Sequence, residues 1–278
     1  MTHALLVMAA LLSSVQAVAP SKMIRFLRHG QAAHNINAER MRKEGCTHEE
    51  FLQAMKQDDT FDSPLTQSGR EQAQTAAMFP STLHAAASVE LVVASPLSRA
   101  LDTADFVFPM RAYPKSTITP RICLEDISEI KGFFVSGKRR TTSELTNLYS
   151  AWDFSGIESD EDVEWERWGD TLESNESTQK RAHSVLCWLW QRPEKDIVVV
   201  GHGGIFKHLT NSHPLIASCP GMREQFGNCE LRSCRLTLDE PKEASPFAGD
   251  MYFQLNIIRS DSNCVLNEGV AKIVSSST

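Results

Sequence analysis

The chain has 278 residues, 41% of them hydrophobic, which is enough to bury a sizeable core as one large α/β domain or two small ones. Its net charge of −7 leaves no basic footprint for nucleic acid and no reason to expect an anionic membrane surface, so any anion it binds must be held by local basic groups. No Pro/Ser/Gly-rich linker and no internal repeat interrupts the chain, which favours one domain over residues 20–278. In chain order, Ala4 to Leu12 is an uninterrupted apolar run, followed by a more polar stretch to Gln16 and by small Ala17-Val18-Ala19. That layout over residues 1–19 predicts a signal peptide and a secretory or extracellular protein, with no membrane contact once it is removed. The run is too short to span a bilayer at about 20 residues per helix. The alternative is a cytoplasmic protein that opens with a helix or extra strand, and the lack of Lys or Arg ahead of the run speaks for it.

A β-prone segment from Met23 to Arg28 predicts the first strand. Thr47 with Glu50 forms a capping box for a helix from His48 to about Gln57, and Thr66 caps another through Ala77, with Ala73, Ala76 and Ala77 on its buried face. Val89 to Ala94 reads as a second strand, and Ser95-Pro96 as a helix start with Pro in the first position, running to about Val107. Irregular patterning from Ile118 to Trp168 predicts an insertion, a cap over residues 125–170, folding over the sheet edge. Its acidic stretch Glu158 to Asp170 is expected to be a solvated edge with Trp165 and Trp168 packed beneath. Ala182, Val185, Leu186, Leu189 and Trp190 recur at helical spacing before a buried strand, Ile197 to Val200. A helix is expected at Ile205 to Leu209, and closing strands at Glu230 to Leu238 and Tyr252 to Arg259. This alternation implies a three-layer α/β/α fold with a mostly parallel central sheet.

Seven cysteines are an odd number, so at least one thiol is free, and Cys219, Cys229 and Cys234 lack the C-x-x-C spacing of a zinc site. No ligand cluster for a metal is seen, and no cofactor is expected. Two triplets, Arg28-His29-Gly30 and Gly201-His202-Gly203, each follow a predicted buried strand. Ligands of open α/β sheets bind beyond the carboxyl ends of the strands, so both histidines are expected at one cleft.

Four motifs then occur in order: Arg28-His29-Gly30-x-x-x-x-Asn35, Asp62-Ser63-Pro64-Leu65-Thr66-x-x-Gly69, Ser95-Pro96-Leu97-x-Arg99-Ala100-x-x-Thr103-Ala104, and Gly201-His202-Gly203-Gly204. Together they resemble the histidine phosphatase superfamily, which contains the phosphoglycerate mutases. The resemblance implies a phosphoglycerate mutase-like fold and a small phosphorylated substrate. It implies that His29 is the nucleophile, forming a phosphohistidine, and that Arg28 and Arg99 fork onto phosphate oxygens. His202 would join them at the transition state, and Asn35 would orient the phosphate or the attacking water, with Gly203 among the substrate contacts. The family's acid lies between the Arg99 helix and the late histidine, where Glu125, Asp126 and Glu129 crowd together. Ile127-Ser128-Glu129-Ile130-Lys131-Gly132, then Arg139 and Ser143-Glu144-Leu145, is similar to one branch's spacing around its acid, which selects Glu129 and leaves Glu125 and Asp126 as solvated loop carboxylates. His34, His208 and His213 read as packing or surface groups. Lys131, Lys138, Arg139 and Arg140 would either meet a second anionic group or coat an exposed cap.

The expected activity is a metal-independent phosphatase acting on a phosphomonoester. A mutase is the first alternative, although the R-x-Y-G-x-L-x-G-L-N that follows the acid in cofactor-dependent mutases is absent here. An inactive module that binds a phosphorylated ligand is the second. No G-x-S-x-G nucleophile elbow is present, which disfavours serine hydrolysis.

Overall fold

The computed structural model describes residues 19–110, 119–211, 216–218, 220–239 and 251–260. Residues 1–18 of the leader-like segment, His213, Cys219 and Cys264 lie outside them. The first half contains β1 (Ser21–Arg28), α1 (Ala33–Lys43), α2 (His48–Lys56), α3 (Gln67–Ala77), α4 (Pro80–Ser88), β2 (Leu91–Ala94) and α5 (Ser98–Val107). The second half contains β3 (Arg121–Cys123), α6 (Thr142–Leu148), α7 (Val163–Glu166), α8 (Asn175–Gln191), β4 (Asp196–Gly201), α9 (Gly203–Thr210), β5 (Ile216–Ser218), α10 (Pro220–Arg223), β6 (Leu231–Asp239) and β7 (Tyr252–Ser260).

The strands form one sheet in the order β3-β2-β4-β1-β6-β7-β5. β3, β2, β4 and β1 run parallel, and β6 is antiparallel to both of its neighbours, β1 and β7. Successive side chains alternate between two apolar layers, as the period of two in a strand requires. Leu27, Val92, Ala94, Val198 and Val200 face α3, α4 and α5, where Ala73, Ala76, Ala100 and Ala104 permit close approach. Ile24, Phe26, Leu91, Val93, Ile197 and Val199 face α8 and α9, packing on Ala182, Val185, Leu186 and Leu189. Helices on both faces make the three-layer α/β/α architecture.

Register places the site. Leu27 pairs with Val200 and Arg28 with Gly201, so His29 and His202 follow adjacent strand ends. The His29 N–H donates to the Gly201 carbonyl at 3.0 Å, and the Ser95 N–H to the Val200 carbonyl at 3.0 Å. Three strands thus deliver Ser95, His202 and His29 side by side.

The Thr47 and Thr66 caps form as expected, accepting from Glu50 N at 3.2 Å and Gly69 N at 2.9 Å. Elsewhere the structure corrects the reading of the chain. α1 and α4 were not anticipated: α1 buries only Asn35 and Ala38, so it carries no apolar period. The strand expected at Val89 begins at Leu91, because Val89 ends α4. The helix expected at Ser95-Pro96 begins at Ser98, since its first turn is capped from afar: Asp62 Oδ1 accepts from Ser98 N at 2.9 Å, and Asp62 Oδ2 from the Ser98 hydroxyl. Within the irregular stretch, β3 is a sheet strand paired to β2.

Two of the basic residues of 131–140 are buried in ion pairs and the other two are part-exposed partners of carboxylates. Lys131 and Arg139 are 3% and 2% exposed, and both bond Glu125, at 2.8 and 3.0 Å. Arg140 pairs with Asp62 at 3.1 Å, and Lys138 with Glu166 at 3.0 Å while lying over the Trp165 ring. Glu125 is therefore the anion of an internal ion cluster and no solvated loop group, and Asp126 is buried enough for its carboxyl pKa to be raised. The acidic stretch is likewise more than a solvated edge: buried Asp162 accepts from Arg139 N at 2.9 Å and Trp165 N at 3.0 Å, with Trp165 and Trp168 half-buried.

Candidate active site

The loop after β1 is clamped before any side chain acts. A Cβ on Gly30 would lie 2.5 Å from the Gly69 carbonyl oxygen, and one on Gly69 would lie 2.0 Å from the Gln31 oxygen. Backbone therefore packs on backbone, which only glycine permits. The Gly30 N–H also donates to Thr103 Oγ1 at 3.1 Å, tying the first motif to the third.

His29 is 2% exposed. Its Nδ1 lies 2.6 Å from the Gly30 carbonyl, which can only accept, so the neutral ring carries its proton on Nδ1 and leaves the Nε2 lone pair bare. Burial, then the charges of Arg99 and Arg28, holds the His29 pKa well below 6.5. His202 is fully buried, and its ring centre is 4.9 Å from that of His29. Its Nε2 lies 2.8 Å from Ser95 Oγ, which itself accepts from Leu97 N at 3.3 Å. Ser95 can donate its hydroxyl proton to Nε2, and in that tautomer the imidazole proton is on Nδ1. That atom is buried with no partner.

Arg99, 1% exposed, donates from Nη1 to the Ser136 carbonyl at 2.7 Å, and Arg28 donates from Nη1 to the Phe226 carbonyl at 2.7 Å. Each Nε is buried and unpaired. Burial pushes the Arg99 pKa down to about 10, with Glu129 the largest opposing charge, so it stays cationic at neutral pH.

Arg28 and Arg99 line a cavity of about 500 Å³ together with His34, Asn35, Glu129 and Gly203. His29 and His202 are not among the lining residues; the His29 ring centre is 6.4 Å from that of His34, which is. Asn35 Oδ1 accepts from Ala32 N at 3.0 Å and closes the first turn of α1. Glu129 Oε1 accepts from Ile130 N at 3.0 Å and Oε2 from Gly204 N at 3.3 Å, at the start of α9. A Cβ on Gly204 would come within 2.1 Å of Glu129 Oε1, so the second glycine after His202 makes room for this carboxylate. Gly203 sits against the Arg28 guanidinium, 3.5 Å from Nε to a Cβ built on it.

The structure thus brings Arg28, His29, Asn35, Arg99, Glu129, His202 and Gly203 together, and it leaves Glu125 and Asp126 away from the cavity. Sequence reasoning missed three participants. His34 lines the cavity, Ser95 Oγ bonds His202 Nε2, and Asp62, strained at φ 41°, caps the helix that carries Arg99. All three stand inside the quoted motifs, but their partners come from distant segments.

Among the described residues, no group of three or more His, Cys, Asp or Glu is placed to hold a metal ion. Phosphoglycerate mutase-like protein 1 of Arabidopsis thaliana is 34% identical over 241 residues, covering 76% of this chain and 80% of its own. A second Arabidopsis phosphoglycerate mutase-like protein is 29% identical over 238 residues, covering 76% and 83%. The solved structure of a mycobacterial glucosyl-3-phosphoglycerate phosphatase overlaps with a TM-score of 0.47 at 18% identity, over 85% of this chain and 98% of that one. The family model of the histidine phosphatase superfamily, branch 1, matches residues 24–244, and the chain belongs to that superfamily.

Proposed function

We propose that the protein is a phosphatase that hydrolyses a phosphomonoester in two steps through phosphohistidine at His29. One observation carries this reading: a bare imidazole nitrogen stands among buried N–H donors of Arg28, Arg99 and His202 that have no acceptor. A tetrahedral dianion supplies those acceptors and presents phosphorus to the nitrogen. The His29 Nε2 lone pair forms the N–P bond as the ester P–O bond breaks. Glu129 is the acid that protonates the leaving oxygen as it departs. In the second step a water attacks phosphorus, gives its proton back to Glu129, and the N–P bond breaks to release phosphate. Asn35, committed to its helix through Oδ1, has the amide N–H₂ left for the polar groups around it.

The test is to quench the enzyme during turnover of labelled substrates drawn from phosphorylated sugars, glycerates, nucleotides and peptides. An acid-labile, base-stable adduct is expected, because protonation at nitrogen breaks the phosphoramidate. An acid-stable adduct would point to a hydroxyl nucleophile and overturn the assignment. Product analysis separates the acceptors: free phosphate supports hydrolysis, whereas an isomeric phosphoester marks a mutase.

Arg99 gives a second check. Its Nη1 is held by Ser136, which leaves Nε and Nη2 to fork onto phosphate. Arg99→Ala should cost roughly 2–5 kcal/mol of transition-state binding, by comparison with other truncated buried charge pairs. That corresponds to about 30- to several thousand-fold in kcat/KM. Arg99→Lys should recover only part, since an ammonium cannot make both contacts. An unchanged rate would place Arg99 outside the reaction.

A further inference from the structure

His34 stands in the first turn of α1 and lines the same cavity as Arg28 and Arg99. Its neighbour determines where its proton sits. The Ala32 N–H can only donate, so the Asn35 side-chain atom 3.0 Å from it is the oxygen, and the atom 3.0 Å from His34 Nε2 is the amide nitrogen. An amide N–H₂ only donates. Nε2 therefore accepts, and the proton of the neutral ring is on Nδ1. Burial, followed by the charges of Arg99 and Arg28, keeps the ring from taking a second proton. Nδ1–H is then a buried donor without an acceptor, in a residue whose ring centre is 6.4 Å from that of His29. Buried donors are rarely left unpaired, and Arg28 Nε, Arg99 Nε and His202 Nδ1 are likewise buried without a partner.

We infer that His34 is a further ligand of the phosphoryl group, donating from Nδ1–H to one of its oxygens. This rests on the phosphatase reading of the site. Its donor is uncharged, which suits the position: a third cation beside His29 would withdraw electron density from the nucleophile, whereas a neutral N–H adds direction without charge. The role is one of holding phosphate in both ground and transition states, separate from the proton delivery assigned to Glu129.

The discriminating experiment compares His34→Asn with His34→Gln. An asparagine amide N–H reaches about where Nδ1 lies. A glutamine oxygen reaches about where Nε2 lies and keeps the contact to Asn35. The backbone tie from His34 N to Ser63 Oγ, 3.0 Å, is independent of the side chain, and melting temperatures check that both variants fold. Binding of orthovanadate and of inorganic phosphate is measured by calorimetric titration. His34→Gln should weaken both ligands roughly 10- to 100-fold, the worth of a hydrogen bond to a charged group. His34→Asn should stay within about threefold of wild type. Wild-type affinity in His34→Gln, or equal losses in both variants, overturns the inference, because a residue that merely supports Asn35 would be rescued by Gln and not by Asn. Wild-type binding of phosphate without turnover of any phosphomonoester would sink the hydrolase reading instead, and the same comparison would still decide the role of His34.

Discussion

His29→Ala is expected to lower turnover of every phosphomonoester by on the order of 10⁴-fold or more, because the covalent route disappears with its nucleophile. Far-UV circular dichroism and thermal unfolding should show the fold intact: the side-chain hydrogen bond of the ring is a local one to Gly30, while the loop is fixed by backbone packing of Gly30 on Gly69. Turnover near wild type would remove His29 from the mechanism. A direct check follows from its charge state. With the pKa depressed by burial, Arg99 and Arg28, the ring stays neutral, and so nucleophilic, as pH falls through the ordinary histidine range near 6.5. The ring C–H resonances of His29 should therefore show no titration step at the ordinary histidine midpoint near pH 6.5. A midpoint between about 6 and 7 would contradict the buried, cation-flanked environment.

Glu129→Gln is expected to slow hydrolysis of an alkyl phosphate by roughly 10²–10⁴-fold while hurting p-nitrophenyl phosphate much less. An alkoxide must be protonated as it departs, whereas nitrophenolate leaves unaided. The glutamine keeps the size of the side chain but only one of the two oxygens that accept from Ile130 N and Gly204 N, and it removes the carboxylate charge from beside Arg99, so the comparison is made on the ratio of the two substrates' rates. Asp126→Asn should be near silent with both substrates. Glu125→Gln should show itself in thermal stability more than in leaving-group dependence, since Glu125 neutralises buried Lys131 and Arg139. If Asp126→Asn or Glu125→Gln carries the leaving-group effect and Glu129→Gln does not, the acid has been misassigned although phosphohistidine chemistry survives.

Much of the site was legible because its residues sit where strands end. The apolar, β-prone runs before Arg28 and Gly201 placed two histidines at one sheet edge. What stayed hidden depends on partners remote in sequence. The Ser95-Pro96 start was displaced by a cap from Asp62, 36 residues before Ser98. Lys131 looked like a surface lysine because one of its carboxylates, Asp162, is 31 residues away. β3, with three residues, is too short to show a period, and α1 is too polar to show a stripe. His34 was read as packing because the two guanidiniums that give it meaning arrive through the tertiary fold.

The place of β1 in the sheet bears on how the protein is made. It is among the earliest elements of the chain, yet its two neighbours are β4 and β6, and Met23 pairs with Asp196 across roughly 170 residues. At ribosomal rates of roughly 5–20 residues per second, β1 leaves the exit tunnel about 10–30 seconds before the nearer partner exists. Throughout that interval its apolar residues Ile24, Phe26 and Leu27, all fully buried in the finished sheet, have nothing to pair with. The nascent chain therefore carries an unsatisfied strand throughout that interval, a natural client for holding chaperones and a point where early termination yields an aggregation-prone fragment.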